Sequence, residues 1–134
     1  MEVEKGNGRR VTVPVTVEFE DVDAYGIAHH AKLVAYLERA RVRFLTELGL
    51  DLARTDLHLV LYDLEVRFKR TAALLDALEV TVGVSSADAV RLVLGYQIRR
   101  GGLLIARATT GLAFVDGATK AVVPIPEDVR RALG

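Results

Sequence analysis

Hydrophobic and polar positions alternate strictly at the start of the ordered pattern. Val11, Val13, Val15, Val17 and Phe19 interleave with Thr12, Pro14, Thr16, Glu18 and Glu20. Period two in β-branched residues predicts a strand. Pro14 has no N–H to give a ladder, so this strand is expected at a sheet edge, or with Pro14 turned from its partner. From Ala31 the period becomes helical: Leu33, Leu37, Ala40, Phe44 and Leu48 recur every three or four residues, with Val34 and Leu45 widening the stripe. Glu38, Arg39, Arg41, Arg43 and Glu47 take most of the other side, and Gly49 supplies a stop. That is one helix of about five turns.

After a loop near Asp51–His58 the period returns to two. Val60, Tyr62, Leu64, Val66 and Phe68 alternate with Leu61, Asp63, Glu65, Arg67 and Lys69, Leu78, Val80, Val82 and Val84 with Glu79, Thr81, Gly83 and Ser85, and Val90, Leu92, Leu94, Tyr96 and Ile98 form a fourth strand. Arg100-Gly101-Gly102 suits a hairpin turn. A long strand over Leu103–Val115 is apolar on both faces in places, Asp116-Gly117 turns the chain, and Pro126–Leu133 reads as a short helix. The expected class is therefore α+β, a five-stranded, mostly antiparallel sheet curled about one long helix. No repeat or linker divides residues 1–134, which are expected to form a single domain behind a flexible lead-in over 1–10. The apolar surplus along Leu103–Val115 predicts self-association.

Composition narrows the function. The 134 residues are 51% hydrophobic and 27% charged, enough apolar mass for a core. Lys plus Arg equals Asp plus Glu at 18 each, so broad binding to nucleic acid has no electrostatic basis. There is no Cys, which removes disulfides, thiolate metal sites and Cys nucleophiles, and suits a cytoplasmic chain. The first ten residues lack the apolar core of a signal peptide, and no run is long enough to span a bilayer.

The densest polar chemistry lies just before the long helix: Glu20, Asp21, Asp23, Tyr25, His29 and His30. A helix N-terminus brings unpaired N–H groups and partial positive charge, able to hold the oxyanion of an acyl transfer. A carboxylate beside it can attack a carbonyl or activate water. The competing reading is a surface loop whose Asp and Gly residues serve the turn. Asp21, Asp23 and Gly26 fall at calcium-loop positions, but Lys32 stands where that loop needs a Glu, so calcium is rejected. Adjacent His29 and His30, with a lone His58, lack zinc spacing; no metal and no cofactor are expected. Nor is there a nucleophile elbow, phosphate-binding loop or dinucleotide fingerprint.

Phe19-Glu-Asp-Val-Asp-Ala-Tyr-Gly-Ile-Ala-His-His-Ala31, followed by Tyr36-Leu-Glu-Arg-Ala-Arg41, resembles the signature of hotdog-fold acyl-CoA thioesterases. The nearest branch is the 4-hydroxybenzoyl-CoA thioesterase type, including the enzymes associated with the Tol–Pal envelope system. The resemblance extends along nearly the whole chain and implies the hotdog fold. It implies that Asp23 is the catalytic carboxylate, a nucleophile or general base, and that the N–H of His30 polarises the thioester carbonyl. It also implies a site shared between two subunits, in a homodimer or homotetramer, and an acyl-CoA or acyl-carrier-protein substrate. Val22, Tyr25, His29 and Lys32-Leu33 depart from the family's usual residues, as does the missing Pro after Arg67-Phe-Lys-Arg70. These departures touch the acyl pocket and leave specificity open.

The candidate substrate-binding residues are Tyr25, Gly26, His29, Leu33, Tyr62, Lys69 and Arg70. Lys69 and Arg70 stand either for contacts to CoA phosphates or for an ordinary charged strand end. Gly26 is expected at positive φ or close to substrate, and Asp21 as a solvated loop residue. Glu38 and Arg41 are expected to pair along the helix. Two other classes remain: a hotdog dehydratase, whose His-Phe-Pro stretch is missing, and a non-catalytic module that binds acyl thioesters without turnover.

Overall fold

The computed structural model describes residues 9–133. The expected lead-in lies outside that range except at its end, where Arg10 already opens a strand. The chain runs β1 (Arg10–Thr16), a short 3-10 turn (Phe19–Asp21), α1 (His30–Glu47), β2 (Leu57–Phe68), β3 (Ala77–Ala87), β4 (Arg91–Arg100), β5 (Leu103–Asp116), β6 (Val122–Val123) and α2 (Glu127–Leu133). All pairings are antiparallel, in the order β1-β3-β4-β5-β2, with β6 added to β5. The arrangement is the hotdog fold that the motif implies, with an open sheet.

The sixth strand is the departure from the expected five. Lys120 at φ 65° and the bond from Asp116 N–H to the Ala121 carbonyl turn the chain back, laying Val122 and Val123 on Val115 and Phe114. Two residues are too short to carry an alternation. β1 does occupy an edge, the first of the two arrangements expected from Pro14. Gly49 and Gly101, at φ 89° and 59°, close α1 and the β4–β5 hairpin.

One face of α1 is buried through Leu33, Tyr36, Leu37, Ala40, Phe44 and Leu45. It meets inward residues such as Val13 and Val15 of β1 and Val80 and Val82 of β3, all nearly inaccessible. Because α1 runs nearest β1 and β3, an apolar groove stays open between it and β2. Val34, Ala35, Leu61 and Leu64 line one stretch of the groove. The next stretch, past Arg41, is lined by Leu45, Leu57 and Phe114.

The exposed apolar surface is not where the pattern suggested. Along β5 the residues facing away from α1 are Arg107, Thr109, Gly111, Ala113 and Val115, mostly small or polar. Along the sheet the large exposed side chains are concentrated on β2, where Val60, Leu61, Tyr62, Leu64 and Phe68 are each at least 40% accessible; on β5 only its first residue, Leu103, is comparably exposed. β2 is the other free edge of the sheet. Both faces of β5 read as apolar because it is a central strand, flanked by β4 and β2.

Candidate active site

The loop before α1 is a small hairpin. Val22 bridges Ala28, and the N–H of Asp23 bonds the Ile27 carbonyl at 2.9 Å. Gly26 N–H closes the turn on the Asp23 carbonyl at 3.0 Å, and Gly26 has φ 76°, a conformation open to glycine at little cost. The segment 72–76 straps this hairpin down: Ala28 N–H bonds the Ala72 carbonyl, Leu74 N–H the Gly26 carbonyl, and Leu75 N–H the Val17 carbonyl. Asp76 secures the strap, accepting from Ala73 N–H at 2.8 Å and from Arg100 at 2.9 Å. Neither the hairpin nor its strap is visible in the periodicity, because both are made of backbone bonds between irregular segments.

Asp23 is thereby fixed. Its Oδ1 accepts the N–H groups of Tyr25 at 2.8 Å and Ile27 at 3.1 Å, while Oδ2 has no partner among the described residues. The bond from Ile27, then that from Tyr25, with nearby His29 adding a smaller effect, holds the carboxyl below the usual carboxylate range. The group is ionised at neutral pH, with one oxygen free.

α1 opens at His30 behind an N-cap, His29, whose side chain makes no capping bond. His29 N–H is taken by the Asp21 carbonyl at 3.0 Å, and the His29 carbonyl accepts from Lys32 and Leu33. The N–H groups of His30 and Ala31 have no acceptor among the described residues. An uncapped first turn is a ready oxyanion donor. The His30 ring stacks on Phe68, centroids 4.4 Å apart. Together with Ile27, Leu33, Lys69 and Arg70 they line a cleft of about 180 Å³.

The structure thus gathers His30, Leu33, Lys69 and Arg70 in one cleft, with Asp23, Gly26 and His29 on the loop that borders it. Tyr25 is exposed on that loop. The Arg70 guanidinium is already bonded to the Leu104 carbonyl at 2.8 Å. Tyr62 does not join them. It sits at the β2 bulge on the sheet's other face, where a Cβ on Gly111 would lie 2.6 Å from its ring. The Glu38–Arg41 pair forms as expected, at 3.5 Å.

Asp21 overturns its expectation. It is buried rather than solvated. Its Oδ2 accepts Tyr36 Oη at 2.7 Å and Glu18 N–H at 3.1 Å, and Oδ1 lies 3.7 Å from Lys32 Nζ. The Tyr36 bond, then Glu18 and Lys32, outweigh burial and lower its pKa. Burial and the same bond push the Tyr36 hydroxyl up. Phe68 and Tyr36 were also missed as site residues. Phe68 read as one more apolar position of a strand, and Tyr36 entered only as the first residue of the signature's second segment, with no partner given for its hydroxyl.

The family model of the thioesterase-like superfamily matches residues 17–133. The chain is 31% identical over 123 residues to the acyl-CoA thioesterase YbgC of Haemophilus influenzae, covering 89% of this chain and 90% of that protein. It is 30% identical to the 1,4-dihydroxy-2-naphthoyl-CoA hydrolase of Thermosynechococcus vestitus over 117 residues, covering 84% and 80%. Among solved structures, the 1,4-dihydroxy-2-naphthoyl-CoA thioesterase Slr0204 of Synechocystis superposes with a TM-score of 0.86 at 23% identity, covering 93% of this chain and 96% of that one. No helix among the described residues is long and apolar enough to cross a membrane. With its hotdog fold, its signature loop and a family match spanning most of its length, the chain belongs to the thioesterase-like superfamily.

Proposed function

We propose that the chain hydrolyses an acyl-CoA thioester to the free acid and CoA, residues 1–134 acting as one domain. The observation that carries this reading is the uncapped N-terminus of α1, open at the N–H of His30, beside a loop that leaves one oxygen of an ionised Asp23 free. With the thioester carbonyl against His30 N–H, charge developing on its oxygen is stabilised by the helix terminus. Asp23 Oδ2 then works in one of two ways. As nucleophile it bonds the carbonyl carbon, the C–S bond breaks, the thiolate takes a proton, and water splits the resulting anhydride to restore the carboxylate. As general base it takes a proton from water that attacks the same carbon, and the proton passes to the leaving thiolate.

Leu33 and Phe68 offer an apolar wall, and the groove between α1 and β2 offers a path for the acyl chain. Tyr25, Gly26 and His29 border the entrance. The apolar free edge of β2 supports a homodimer joined there, with Tyr62 serving a neighbouring copy's site; pairing of dimers gives a tetramer. A cysteine-free chain acting on CoA thioesters suits the cytoplasm.

The test is a hydrolysis panel of aromatic, short, medium and long acyl-CoA substrates plus one acyl carrier protein, run on wild type and Asp23→Asn. The variant should lose about 100-fold or more in turnover with little change in binding or fold. Full activity in Asp23→Asn sinks the assignment. Binding without turnover in the wild type favours the non-catalytic module.

A further inference from the structure

The face of the sheet turned away from α1 carries a second concentration of charge. In the β2–β5 register Arg67 stands directly opposite Arg107. Like charges facing each other across a ladder destabilise a sheet. Lys69, the next residue but one after Arg67, joins them around a shallow cavity of about 330 Å³ that Glu65 and Thr109 complete. Among the described residues, none of the three cationic side chains forms an ion pair. The Nε of Arg107 is buried and has no hydrogen-bond partner, a costly condition for a guanidinium. Three cations less one carboxylate leave the cavity with a surplus of two positive charges.

These are the marks of an anion site. Two guanidiniums, an ammonium and a hydroxyl offer many donors in a small space, which suits a phosphate. The cavity and the cleft at α1 share a lining residue. Lys69 lines both, and β2 is an edge strand, so a ligand need only round its end to reach from one to the other. We propose that Arg67, Lys69 and Arg107 form a phosphate site on the outer face of the sheet that holds the nucleotide end of CoA while the thioester lies in the cleft. The site selects CoA thioesters over thioesters without a nucleotide. This inference rests on the acyl-CoA reading above and adds the residues that read the thiol carrier.

Calorimetric titration with CoA, with pantetheine and with sodium phosphate tests it on wild type, Arg67→Gln, Arg107→Gln and Arg107→Lys. CoA affinity should fall about tenfold or more in either Gln variant, as expected when a charge-assisted hydrogen bond to phosphate is removed. Pantetheine affinity should stay unchanged, and Arg107→Lys should recover most of the CoA affinity. Removing one of two facing arginines should leave the melting temperature equal or higher. Unchanged CoA affinity in Arg107→Gln overturns the proposal, whether or not the melting temperature drops. Equal decreases for CoA and pantetheine overturn it too, as does phosphate binding abolished in Arg107→Gln with CoA binding intact. The hydrolase reading fails separately: charge-dependent CoA binding with no turnover of any thioester leaves the site standing without the enzyme. Turnover with charge-independent CoA binding does the reverse.

Discussion

Tyr36→Phe removes one oxygen and nothing else from the interior. The ring is 1% accessible and keeps its packing. What disappears is the 2.7 Å bond to Asp21, a carboxylate itself only 8% accessible. A hydrogen bond to a charged group contributes about 1.5–3 kcal/mol, and the neighbouring Glu18 N–H and Lys32 compensate only in part, so about 2 kcal/mol is a fair figure. An unfolding entropy of about 2.1 cal/mol/K per residue gives roughly 0.28 kcal/mol/K for a chain of this length. The melting temperature should therefore drop by roughly 7 °C. Circular dichroism at one fixed protein concentration reads it, because the melting point of the proposed dimer depends on concentration. The pH dependence has a definite sign. The folded Asp21 pKa is lowered, so its stabilisation is complete above the unfolded value near 3.9 and fades as pH falls through the lower folded one. The gap between wild type and Tyr36→Phe should close below about pH 4. A shift under 1 °C at neutral pH would refute the reasoning. For the same reason Asp21→Asn is not a silent control for Asp23→Asn: it should destabilise the loop and lower turnover with it.

Because Asp23 is held below the usual carboxylate range, its anion, the group proposed to react, persists at mild acidity. The kcat/KM profile should stay flat down to about pH 5 and fall only near or below pH 4; an acid limb centred between about 6 and 7 would assign the chemistry to another group. Leu64→Lys places a charge on the exposed middle of β2 and should shift light scattering from dimer to monomer, with loss of turnover; an unchanged mass would move the interface elsewhere. Gly111→Ala places a methyl against the ring of Tyr62, which is half-exposed and free to swing aside, so denaturant unfolding should show a cost of no more than about 0.5 kcal/mol. The double variant with Tyr62→Ala should recover part of that cost, whereas additive effects would show that the two positions do not meet.

The parts of the molecule visible in the sequence are those that repeat. Val11–Val17 and Leu78–Val84 face the core at every second residue, and the Leu33–Leu48 stripe does so at every third or fourth, so strands, helix and order follow from burial alone. Gly26 was legible because one backbone angle needs it. The candidate site was singled out through its motif, which points to Asp23 and His30 but not to what supports them. Asp21 illustrates the limit: an Asp in a polar loop reads as solvated, and only the fold shows that Tyr36, fifteen residues on, turns its hydroxyl onto it. The facing arginines were hidden for a related reason. Arg67 and Arg107 are ordinary polar positions on two separate strands until the register sets them side by side.

The two ends of the sheet are not alike. At one end β1 carries Pro14 in mid-strand, flanked by exposed Thr12 and Thr16. That end is poorly suited to accepting another strand. The other end, β2, is twelve residues long, apolar and bare. A molecule with two adhesive ends would polymerise without limit. With one adhesive end and one blunt one, the only way to add a copy is head against head, by a twofold operation that consumes both adhesive ends at once. Growth along the sheet then halts after a single addition, and pairing of such dimers has to use another face. In the proposed dimer, Pro14 thus acts at the edge of the sheet opposite the β2 seam, by ensuring that a sheet able to extend does not become a fibre.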